Sequence, residues 1–171
     1  MFSTHHTLAM ALRVAVFAAV TVVAGVGGAG ESEIAVNMND CAALNVILRA
    51  AKSDFRTLEG SAEHEQLGMW QATVAFAGGR DCLVYAPPFR MYTCRLYVGD
   101  DESDADTAYR DAVAKVRKCV PKGWRVRERI NGVDALTKAS HARGDPSISV
   151  TSTISDAAAY LVDFSVDLPM R

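Results

Sequence analysis

The chain predicts an α+β fold in the order α-β-β-β-α-β-β-β-β, with two helices packed on one face of a mainly antiparallel sheet. Three observations carry that reading. Two stretches place apolar residues at helical spacing. Seven others alternate apolar and polar residues as half-buried strands do. Glycine, proline and asparagine mark the breaks between them. Helices grouped on one side of such a sheet leave its other face in water.

The 171 residues are half apolar, 22% are charged, and the formal net charge is −2. A chain this apolar and this weakly charged folds rather than staying disordered. The balance also removes the simplest electrostatic case for a nucleic-acid partner.

Residues 1–30 read as a signal peptide. His5, His6 and Arg13 are the only basic groups at the start. Val14 to Val26 is uncharged, and Gly27 to Gly30 is small and flexible. That order of basic start, apolar run and small-residue exit is the secretory pattern. The run is shorter than the ~20 residues that span a bilayer. An uncleaved anchor is the competing reading. Cleavage next to Ala29 or Gly30 leaves residues 31–171 as one domain, with no stable membrane anchor. The four cysteines, Cys41, Cys82, Cys94 and Cys119, all lie beyond the leader. An even count in an exported chain predicts two disulfides and a secreted or periplasmic location.

The first helix follows Asp40 as its cap. Cys41, Leu44, Leu48, Ala51, Phe55 and Leu58 form one apolar stripe, with Gly60 as the stop. Trp70 to Phe76 alternates next, and Gly78-Gly79 turns the chain. Cys82, Val84 and Ala86 then share a face, as do Tyr92, Cys94, Leu96 and Val98. Pairing Val84 with Tyr92 sets Cys82 opposite Cys94, which predicts a cross-strand disulfide. Cys41 is left to pair with Cys119, across the start of one helix and the end of the other.

The second helix is predicted from Ser103 or Asp104 to about Lys118. Ala105, Ala108, Tyr109, Ala112, Val113 and Val116 face inward, with acids at its start and bases at its end. Four strands follow: Trp124 to Ile130, Ala135 to Ala139, Ser147 to Ile154, and Tyr160 to Leu168. Asn131-Gly132 and Gly144-Asp145-Pro146 supply turns.

No phosphate loop, dinucleotide fingerprint, zinc motif or nucleophile elbow occurs. His64 and His141 are the histidines beyond the leader, both in polar surroundings. The acidic cluster from Asp100 to Asp106 superficially resembles a calcium loop. It lacks the glycine at the sharp turn and the final bidentate glutamate, and a helix N-terminus accounts for its charge. Arg143-Gly144-Asp145 spells an integrin tripeptide, but tight turns recruit those residues anyway. No catalytic residue, metal or cofactor is therefore assigned.

Arg125, Arg127 and Arg129 alternate along one strand and project from one face. Tyr85, Arg95 and Tyr97 are expected on the same water-facing side of the sheet. Arginine and tyrosine are the side chains protein interfaces favour. The expectation is an exported, non-enzymatic module that binds a protein partner with an acidic surface. Cross-strand pairing of the arginines with Asp163 or Asp167 is the competing account. A small exported hydrolase, with a site assembled from residues distant in sequence, is the alternative function.

Overall fold

The computed structural model describes residues 38–131 and 134–169, which lie in the second of two units of the chain, Glu33–Arg171. The leader lies outside the described residues, as does Gly132 of the Asn131-Gly132 turn.

Helix α1 spans Asp40–Ala50. Its cap is Asn39 rather than Asp40: the Asn39 carboxamide oxygen accepts the Ala42 N–H at 3.0 Å. The helix also stops eight residues before Leu58. Two 3-10 turns, Ala51–Ser53 and Arg56–Leu58, continue the path, and between them Asp54 and Phe55 take left-handed φ values of 53° and 63°. The Phe55 N–H donates to the Ala50 carbonyl at 2.9 Å and closes the helix end. The apolar stripe survives this break. Leu44, Ala51, Phe55 and Leu58 are buried, Cys41 and Leu48 are half-buried against the same core, and Ile47 beside the stripe is buried, because 3-10 turns also return a side chain every three residues.

Strand β1, Glu59–His64, was not expected, and Gly60 lies inside it rather than ending a helix. Then come β2 (Met69–Ala72), β3 (Arg80–Tyr85) and β4 (Met91–Gly99). Helix α2 spans Glu102–Cys119. Its cap is Asp101, whose carboxylate accepts the Asp104 N–H at 2.9 Å, so it starts ahead of Ser103. Strands β5 (Arg125–Asn131), β6 (Asp134–Ser140), β7 (Ser147–Ile154) and β8 (Tyr160–Asp167) complete the order α-β-β-β-β-α-β-β-β-β. The predicted order thus lacked one strand. β1 is exposed along nearly its whole length and carries no apolar alternation to announce it.

All eight strands form one antiparallel sheet, ordered β1-β2-β3-β4-β8-β7-β6-β5. Both helices bury their apolar residues in the cluster formed by Tyr92, Ile148, Val150, Val162, Phe164 and Val166. Phe76 and Phe164 stack at its centre, with ring centroids 4.2 Å apart. Truncating a buried phenylalanine to alanine costs about 3–5 kcal/mol. Tyr92 reaches the same core. Its hydroxyl donates to the Val74 carbonyl at 2.7 Å, and burial pushes its phenol well above the usual tyrosine range.

The predicted disulfides both form. Cys41 pairs with Cys119 at a Cα separation of 4.8 Å, and Cys82 with Cys94 at 4.0 Å. Val84 does face Tyr92 in the ladder. The first bridge joins the start of α1 to the end of α2, with Lys115 3.4 Å from Asp40 beside it. Two disulfides fit an oxidising environment. Among the described residues, no helix is long and apolar enough to cross a membrane.

Candidate protein-binding face

The sheet surface turned away from the helices is built from rows of cross-strand neighbours. One row reads Arg125, Ser140, Ser147, Asp167, Met91 and Tyr85, from β5 across to β3. The next reads Arg127, Lys138, Ser149, Ser165, Thr93 and Leu83. A third reads Arg129, Leu136, Thr151, Asp163 and Arg95. Short hydroxyl side chains fill the middle of the face, and the arginine row stands on its β5 border.

The expected site residues do not form one cluster. Arg125, Arg127 and Arg129 project together and are exposed. Tyr85 lies at the far end of the Arg125 row, five strands away, which is roughly 24 Å at ~4.8 Å per strand. Arg95 shares the Arg129 row, but its guanidinium is already bound to the Asp163 carboxylate beside it.

Tyr97 is not on this face. The β4–β8 register shifts between Arg95 and Tyr97, so Leu96 is an extra residue and Tyr97 pairs with buried Val162. Its ring packs against the core, and its hydroxyl donates to the Asp101 carbonyl at 3.1 Å. Val98 is turned outward instead and is 61% exposed. A bulge reverses every side chain beyond it, and the apolar alternation of β4 carries no sign of one.

Cross-strand neutralisation of the arginine row fails on geometry. Asp163 is taken by Arg95, and Asp167 accepts the Ser165 hydroxyl at 3.2 Å, three strands from β5. Among the described residues, Arg125, Arg127, Arg129 and Lys138 have no carboxylate within 4.0 Å, whereas Arg90, Arg95, Arg110 and Arg117 each have one. Burial raises the Asp167 carboxyl above its ordinary value, against the Ser165 hydrogen bond and the Lys138 charge.

At the Arg125 end of the face, a shallow depression of about 630 Å³ is lined by Arg125, Arg127, Lys138, Arg143, His141 and Asp167, among others. His141 Nδ1 lies 3.1 Å from the Asp145 carboxylate, and both side chains are about half exposed. The Nε2 edge of the ring lies beside Gly123, where an added Cβ would come within 3.4 Å. Asp145 also belongs to the Arg143-Gly144-Asp145 turn, where Gly144 has φ 99° and the Asp145 N–H donates to Ala142.

The acidic cluster serves the fold. Asp101 caps α2, Asp106 pairs with Arg110 at 2.9 Å, and Glu102 accepts the Tyr160 hydroxyl at 3.3 Å. His64 is exposed at the end of β1. Sequence reasoning missed the network that fixes β5 from its other side. Tyr109 of α2 bonds Thr137 of β6 at 2.8 Å and Glu128 of β5 at 3.3 Å, and Arg117 reaches the same Glu128 at 2.9 Å. Compared with protein-family models, curated proteins and solved structures, the chain matches none.

Proposed function

We propose that the protein is an exported, secreted or periplasmic, non-enzymatic module that recognises a protein partner with an acidic surface through this sheet face. The observation that carries the reading is the unneutralised row of Arg125, Arg127 and Arg129 with Lys138 beside Arg127. Leaving several cations together without counter-charge opposes folding slightly through self-repulsion, and an acidic partner relieves it. The two disulfides suit a module that works outside the reducing cytosol.

Affinity capture from the native compartment tests this, with the disulfide-bonded domain as bait and Arg127→Ala as the paired variant. Wild type should recover an acidic partner whose yield falls as salt rises, because screening shortens the reach of charge. The variant should lose that partner while its thermal midpoint stays put, since an exposed side chain contributes little to stability. Unchanged capture with a lowered midpoint would assign the row to the fold and overturn the reading.

A further inference from the structure

The arginine row stands on an outermost strand. Among the described residues β5 pairs with β6 alone, and its seven residues from Arg125 to Asn131 are in unbroken register. The other edge differs: β1 carries two register shifts against β2. Bulges make an edge unfit for further pairing, and β5 has neither a bulge nor a proline. Glu128, gripped by Tyr109 and Arg117, holds β5 from the helix side, so its free edge is presented in an ordered form. Ile130 stands out on that same side, 66% exposed.

A second copy of β5 is a poor occupant. Antiparallel pairing of two β5 edges, which keeps both helix layers on one side of the continuous sheet, would bring one arginine row against the other, and like charges directly opposite are destabilising. The same charges favour a strand of opposite sign. Resting on the acidic-partner reading, we propose that β5 accepts an extended acidic segment of the partner as a ninth strand of the sheet. Its carboxylates occupy alternate positions and meet Arg125, Arg127 and Arg129 across the new ladder. Strand neighbours stand ~4.5–5.5 Å apart at Cβ, within reach of a guanidinium–carboxylate pair. The intervening positions turn to the helix side, where an apolar side chain covers Ile130. Main-chain hydrogen bonds to the free edge hold the segment, and the arginines select it.

The test uses the full disulfide-bonded chain and two blocked heptapeptides of one composition. One alternates glutamate and valine, and the other gathers its glutamates into a block. The alternating peptide should bind at least about tenfold tighter, a difference of ~1.4 kcal/mol. It should slow hydrogen exchange at the edge-facing β5 amides, and Arg127→Ala should weaken it. Equal binding of both peptides, lost in Arg127→Ala, overturns the added strand and leaves the acidic-partner face standing. Binding of neither overturns both. β5 protection that rises with protein concentration alone makes the occupant a second copy and also overturns the proposal.

Discussion

Arg90 closes on Asp54 at 2.6 Å, and the two residues are thirty-six positions apart in the chain. Both hold left-handed backbone conformations, with φ of 47° and 53°. The Arg90 side chain is only 9% exposed and also donates to the Pro169 carbonyl at 3.0 Å. One guanidinium therefore ties the exit of α1, the loop before β4 and the end of β8 together. Arg90→Ala strands the Asp54 carboxylate and removes the Pro169 contact. Truncating one member of a fully buried pair costs about 3–5 kcal/mol; with Asp54 partly in water the expected loss is about 2–3 kcal/mol. Urea unfolding of the variant measures it. Arg90→Lys should recover only part, because a single ammonium cannot serve both acceptors in the same geometry.

The two disulfides differ in how much chain they enclose. Cys41–Cys119 spans a separation of 78 residues and Cys82–Cys94 only 12. Loop-closure entropy gives about 4.5 kcal/mol for the first and about 3 kcal/mol for the second. Paired replacement of Cys41 and Cys119 by alanine should lower the urea midpoint more than replacement of Cys82 and Cys94. The opposite order would show that the short bridge holds β3 to β4 by more than chain entropy.

The legible parts of the fold are those where one period runs uninterrupted. β7 alternates half-buried and buried residues from Ser147 to Thr153, and β8 does so from Leu161 to Asp167, and Ser147–Ile154 has the boundaries the alternation predicts. The losses come where geometry changes without a change in pattern. The α1 stripe passes through two left-handed residues because each turn still delivers an apolar side chain inward. The β4 bulge is silent because Leu96 and Val98 are apolar as the expected face required. The arginine row was visible as spacing. Its place on an open edge was not, because strand order depends on how distant segments pair. The Tyr109–Glu128–Arg117 network depends on that pairing too.

Asp167 gives a pH signature. Its carboxyl is raised in the folded protein, mainly by burial, so the folded state holds the proton more tightly than the unfolded chain does. A raised acid penalises the fold in full above its folded value, and the penalty fades as pH falls through that value and is gone below the ordinary carboxyl range. Asp167→Asn removes the penalty. The variant should melt above wild type at neutral pH, with the gap closing as pH falls to the ordinary carboxyl range. A gap that persists there would mean the gain came from packing rather than from charge.

The last prediction separates local from global stability. Glu128 is the side chain through which α2 holds β5, accepting from Tyr109 at 3.3 Å and Arg117 at 2.9 Å. Removing it leaves Tyr109 its 2.8 Å bond to Thr137, so no buried hydroxyl is orphaned. Arg117 is more than half exposed and simply returns to water. Glu128→Ala should therefore cost about 1 kcal/mol or less in global unfolding, as partly exposed ion pairs do. The consequence falls on β5, which among the described residues is otherwise held by β6 alone and buries little. Strands with few buried contacts open below the global transition. Hydrogen exchange at the β5 amides that bond to β6 should speed up, while Val150 and Phe164 in the central strands stay protected. If β5 and the central strands lose protection together, the edge does not open on its own, and the network is a support of the whole fold rather than a clamp on one strand.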